Sequence, residues 1–239
     1  MAVSTLIDMI KARALLPATL AACGFVFGSS FLASAQAATF SLSPFTGSSA
    51  KVDITLNELV NGNIGVKVDV DKSVAIADLR AVFFNIKNES ILPKLTLTNS
   101  SAGVGTFKFA ANSVSEIGKV KFQGEPGLNP CTNGCDGGIE IGENGLKGGK
   151  DDFQNVAWTF TRTDGAPLTL EDFEGMSWGV RATSVGPVGS NRSGSSKLSG
   201  SVPGKEKPRD IPEPTGSLAL FVVAGGGLTL LRRKPTELV

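Results

Sequence analysis

Histidine and tyrosine are absent from the 239 residues, tryptophan occurs twice and cysteine three times. Without histidine the chain lacks the commonest general base and the commonest zinc or copper ligand. Serine is plentiful, but no imidazole is there to activate it, and no Ser-x-x-Lys surrounds Lys197. An excess of one charge is missing too: 23 Lys+Arg face 22 Asp+Glu, a formal net charge of +1, and the two signs are interspersed. Phosphate backbones call for a concentrated basic face, so nucleic acid is not an expected partner. Long apolar runs are confined to the two ends of the chain. Setting those ends aside leaves roughly 170 residues, ample for one domain with a core and short for two.

At the N-terminus Lys11 and Arg13 precede an apolar run from Ala14 to Leu32, which ends in Ala33-Ser34-Ala35-Gln36-Ala37-Ala38. A charged region, an apolar region and small residues at two overlapping A-x-A sites, in that order, read as a secretion signal over residues 1–37, cut by signal peptidase before Ala38. A permanent anchor helix is the alternative. Leu20-Ala21-Ala22-Cys23 resembles the lipobox of bacterial lipoproteins, whose cysteine is acylated. The run Phe25 to Leu32 continues apolar beyond it, however, which favours loss of Cys23 with the signal.

At the other end, residues 201–211 form a Pro- and charge-rich linker, too polar to pack. Pro212-Glu213-Pro214, an apolar run from Ser217 to Leu231 and the basic cluster Arg232-Arg233-Lys234 follow. This order over residues 212–234 resembles the PEP-CTERM sorting signal of exopolysaccharide-producing bacteria. The resemblance implies that an exosortase, a membrane cysteine transpeptidase, processes the protein near Pro212-Glu213-Pro214. Length agrees independently: a helix over 217–231 rises about 22 Å, against about 30 Å of hydrocarbon. Gly225-Gly226-Gly227 weakens it further. Such a segment suits a transient stop, with Arg232, Arg233 and Lys234 cytoplasmic and everything before Pro212 outside. An ordinary single-pass anchor is the alternative. Either way the protein is exported to the envelope or beyond, held at its C-terminus transiently or permanently.

Between these ends, residues 38–200 carry an all-β pattern. The 29 glycines, with many Ser, Thr, Asn and Val, suit short strands joined by many turns. Phe40 and Leu42 alternate with Ser41 and Ser43. Val52, Ile54 and Leu56 alternate with Asp53 and Thr55, and Ile64, Val66, Val68 and Val70 with Gly65, Lys67 and Asp69. Asn61-Gly62 is a hairpin signal. Within Ile76 to Ile86, Ala81-Val82-Phe83-Phe84 is apolar on both faces and predicts a central strand. Shorter strands are predicted at 95–98, 106–110, 119–122, 155–161 and 177–184, and a helical turn near 168–173 with Thr169 as N-cap. About nine strands point to a single β-sandwich, jelly-roll or immunoglobulin-like. The segments Asp78 to Phe84 and Gly194 to Gly200 are similar to stretches of other PEP-CTERM ectodomains with no assigned activity.

Cys131-Thr-Asn-Gly-Cys135 is the one local covalent feature. In an oxidising compartment Asn133-Gly134 can turn the chain so that the sulfurs meet, and a disulfide closing a small loop is expected, with free thiols as the alternative. Residues 124–152 read as a glycine-dense loop carrying Asp136, Glu140, Glu143, Asp151 and Asp152. Hard oxygen ligands on a flexible backbone could hold calcium, although their order fits no EF-hand or repeat motif, and a solvated acidic loop is the plainer reading. Trp158 shares a face with Phe160, and Trp178 with Val180 and Ala182, so both tryptophans belong to the core rather than to a sugar platform.

No catalytic residue is assigned. The expectation is a non-enzymatic cell-surface or matrix protein with a structural or binding role. An exopolysaccharide-binding module is the alternative, and a carboxylate-dependent secreted hydrolase is a third reading.

Overall fold

A computed structural model describes residues 36–123, 131–142 and 151–204. The expected secretion signal up to Ala35 with Cys23, Glu143, and the tail with Pro212, Glu213, Pro214, Arg232, Arg233 and Lys234 lie outside the described residues. The twelve described strands are β1 Ala37–Gly47, β2 Val52–Glu58, β3 Ile64–Val70, β4 Ile76–Phe84, β5 Leu95–Thr98, β6 Val104–Val114, β7 Glu116–Ile117, β8 Val120–Lys121, β9 Cys135–Ile141, β10 Asn155–Arg162, β11 Ser177–Gly186 and β12 Gly194–Ser201. All pairings are antiparallel, and the protein is all-β, as its alternating runs lead one to expect. Backbone pairing begins at the Gln36 carbonyl, which accepts the Glu58 N–H, and buried chain continues to Val202.

Ten strands form one sheet in the order β5-β10-β3-β2-β1-β12-β11-β4-β9-β6, where two separate sheets were expected of a sandwich. The reason lies in β1. Its residues Ala37 to Leu42 pair with β2, while Ser43 to Gly47 pair with β12, and a register shift follows Pro44. Proline has no N–H to donate and suits such an irregularity. The sheet therefore turns at β1, and strands on both sides of that turn contribute to one core. Edge strand β6 returns toward β10, the strand next to the other edge, with the Phe109 and Phe160 ring centroids 6.1 Å apart.

Period-two patterning decides which residues enter that core. Val52, Ile54 and Leu56 are buried while Asp53 and Thr55 between them are not, and β3 repeats the rule. Gly62 takes φ +72° in the β2–β3 turn, where the N–H of Leu59 bonds the Asn63 carbonyl at 2.9 Å. At the centre, Phe84 packs on Phe160 (5.1 Å) and stacks on Trp178 (5.1 Å). Both tryptophans are buried, as their face-sharing predicts. The turn near 168–173 is a short 3-10 helix, Leu170–Asp172, closed by the Thr169 N–H on the Asp172 carboxylate at 2.9 Å.

Strand β4 lies between β11 and β9 and is buried on both faces, as predicted for a central strand. A bulge interrupts it: Arg181 pairs with Ala81 but Ala182 pairs with Leu79, so Arg80 is an extra residue and leaves the inner face along with Ala81. Ala81 and Phe83 thereby join a second, smaller cluster on the outer face, with Val114, Ile117, Val120, Phe122 and the cysteines 131 and 135. Phe122 stacks on Phe83 at 4.7 Å. The two-stranded β7–β8 hairpin is the lid of this cluster.

The glycine-dense stretch 124–152 is not wholly loop. Cys135–Ile141 is strand β9, buried between β4 and β6. Its glycines are what make it fit: a Cβ at Gly137 would run into the Phe84 ring, and one at Gly138 would sit 2.8 Å from Val114. Gly194–Ser201, rich in small polar residues, is likewise a strand, set between β1 and β11.

Candidate functional site

The acidic residues singled out in the sequence are not brought together. Asp136 is buried, and its carboxylate accepts the backbone N–H groups of Ile86 (2.9 Å) and Asn112 (2.8 Å). That position, inside β9, corrects the reading of Asp136 as part of a solvated loop. Glu140, also on β9, is half-buried and its carboxylate lies over Gly118. Asp151 is half-buried, and Asp152 forms a bidentate pair with Arg192 (2.7 and 2.6 Å). Arg192 also donates to the Ser184 carbonyl at 2.8 Å, so the pair ties the β11–β12 turn to the start of β10. Among the described residues no three His, Cys, Asp or Glu side chains group as metal ligands.

Cys131 and Cys135 are joined in the structure, with their Cα atoms 4.8 Å apart and both residues buried in the outer cluster. The Gly134 N–H bonds the Cys131 carbonyl at 2.9 Å, and Gly134 adopts φ +103°, which lets the chain double back between the sulfurs.

Asp78 is the buried carboxyl that most resembles an acid-base group. Burial pushes it up to about 6, opposed by the Phe153 N–H (3.1 Å), the charge of Arg80 and the Thr183 hydroxyl (3.3 Å). Those bonds use its oxygens to hold β10 and β11 in place, and it has no exposed surface from which to reach a substrate.

The outer face beyond the β4 bulge carries a different constellation. Arg181 of β11 stands directly opposite Lys197 of β12, a like-charge cross-strand pair of the kind that weakens a ladder. Both are half-buried. Burial lowers the pKa of Arg181, and burial together with the Arg181 charge lowers that of Lys197. Across from them the β7–β8 hairpin offers Lys119 at its turn and Lys121 on β8, and the bulge adds Arg80. These five cations line a cavity of about 320 Å³ whose other walls are Val120 and Thr183. Arg181, Lys197 and Lys119 have no carboxylate within ion-pair distance among the described residues, and Lys121 reaches Glu116 only at 3.9 Å. Arg181 is held by one guanidinium N–H on the Ser196 carbonyl, 3.2 Å away.

This cavity is continuous in its lining with a larger one of about 820 Å³, since Arg80 and Lys119 belong to both. The larger groove is walled by Gly103, Gly105, Gly118 and Gly142 and has Glu140 at one side. Chemically the smaller cavity can hold an anion.

The sequence reading found none of the five cations. Their signal was faint: they are scattered among apolar and small residues, and Arg80 and Lys197 are 117 positions apart. The class the fold defines is an all-β protein with a cationic cleft on its outer face. Comparison with protein-family models, with characterised proteins and with solved structures finds no match to this chain.

Proposed function

We propose that the chain is an exported bacterial surface or matrix protein whose folded body binds a ligand and performs no catalysis. In this reading signal peptidase removes residues 1–37, an exosortase processes the tail at Pro212-Glu213-Pro214, and the body between is a β-sandwich of jelly-roll or immunoglobulin-like kind. Its two layers share β1. Exopolysaccharide is the ligand class that the tail's resemblance to the PEP-CTERM signal suggests.

The observation that supports binding over hydrolysis is the single sign of the cleft. Glycoside hydrolysis needs two carboxyl groups facing each other across the scissile bond, roughly 5–10 Å apart. Arg181, Lys197, Lys119, Lys121 and Arg80 line this cavity instead, and the buried Asp78 and Asp136 are occupied with backbone N–H groups. A glycan array probed with the purified exported protein is the test. Retention of intact glycans is the expected result; release of shortened sugars from any of them would return the hydrolase reading.

A further inference from the structure

We propose that the cleft between β11, β12 and the β7–β8 hairpin holds the carboxylate groups of an acidic polysaccharide, with uronate-type sugars as the ligand class. The inference rests on the binding reading above and adds where the ligand sits and what charge it carries.

Arg181 and Lys197 face each other across one ladder step, half-buried, with no carboxylate beside either among the described residues. Like charges at directly opposed positions oppose folding, and a chain keeps such an arrangement where a function uses it. Lys119 and Lys121 converge on the same volume from a separate hairpin, so elements far apart in sequence aim one sign of charge at one point. An oxyanion placed there relieves every one of these repulsions together. The Ser196 carbonyl takes one guanidinium N–H of Arg181, which leaves the remaining donors of its planar fork for a carboxylate.

A cavity of about 320 Å³ is sugar-sized, at the lower end of the usual range for small-molecule sites. The joined groove of about 820 Å³, with Glu140 at one side, adds room for neighbouring residues of a polymer. Neutral sugars are normally gripped by stacking on exposed aromatic rings. Here both tryptophans are buried and no aromatic ring lines either cavity, so charge must carry the recognition. Duplex nucleic acid needs cations spread along a face, whereas these meet inside a cleft.

The test uses the exported protein with four polymers: polygalacturonate, dextran sulfate, neutral dextran and single-stranded DNA. Polygalacturonate should bind, with affinity falling as salt is raised, and neutral dextran should not. Replacing both hairpin lysines (Lys119→Gln with Lys121→Gln), which are exposed and outside the core, should weaken polygalacturonate binding by about tenfold or more. Arg181→Gln should weaken it similarly while leaving the melting temperature unchanged or raised, since it also removes the opposition to Lys197. Unchanged polygalacturonate affinity in both variants would overturn the proposal. Binding of dextran sulfate alone, of DNA alone, or of neutral dextran as tightly as polygalacturonate would also overturn it while leaving a binding protein. Failure of every polymer here and on the array would sink the binding reading itself.

Discussion

Asp136 and Ile86, 50 residues apart, are joined by a buried hydrogen bond from the Ile86 N–H to the Asp136 carboxylate at 2.9 Å. The second oxygen of Asp136 takes the Asn112 N–H, so one side chain serves the chain beyond β4 and a bend within β6. Asp136→Ala strands both N–H groups, each costing about 1–3 kcal/mol when left unpaired. A loss of about 2–4 kcal/mol in urea unfolding is expected, whether or not calcium is in the buffer. Asp136→Asn keeps one acceptor and should lose less.

Asp78 makes a pH prediction with a definite sign. Burial raises its carboxyl to about 6 in the folded protein, against about 3.9 in an unfolded chain. The folded state therefore binds the extra proton between these values. This group's contribution is most favourable below about pH 4 and declines as pH rises through 6. Asp71 and Asp152 run the other way, since bonds from Ser73 and Arg192 respectively hold them low, so the wild-type curve alone mixes the effects. The comparison to make is with Asp78→Asn, which keeps an acceptor for Phe153 N–H. Relative to wild type it should gain up to about 3 kcal/mol at pH 7 and nothing at pH 4, by urea midpoints at both pH values. A constant difference between the two curves would contradict the assignment.

The Cys131–Cys135 bridge closes so small a loop that replacing both residues by serine should cost about 2 kcal/mol, at the low end for a disulfide. The loss should appear first at the outer cluster, where both cysteines pack near Phe83 and Phe122. Hydrogen exchange at β7 and β8 rising before exchange at β2 and β3 is the expected signature.

Glu213 lies outside the described residues, and its prediction concerns sorting. It is flanked by Pro212 and Pro214, a sequence that disfavours regular helix. Glu213→Ala should leave the melting temperature of the folded body unchanged within about 0.5 kcal/mol of stability. In an exosortase-carrying host it should accumulate as an uncleaved, membrane-associated form. Wild-type protein that keeps its chain through Val239 in that host would favour the simple anchor.

Local pattern alone accounts for part of the fold. Alternation in β2 and β3 needs only neighbours two apart to choose a face, Asn61-Gly62 turns the chain between them, and Trp158 and Trp178 go inward with their strand-mates. Tertiary structure decided the rest. Strand β9 was illegible because Gly137 and Gly138 read as turn until Phe84 and Val114, from other strands, occupy the space their missing side chains leave. The bulge at Arg80 cannot be seen in a period-two count, since it appears only as a slipped register against β11. The cationic cleft is a product of both. Arg181 and Lys197 become neighbours by ladder pairing, and Lys119 and Lys121 reach them only because Ile117 and Val120 anchor their hairpin on Ala81 and Phe83. A linear sequence records each charge but not its distance from the others or its burial, and a balanced composition hides a one-signed cleft because repulsion and attraction depend on both.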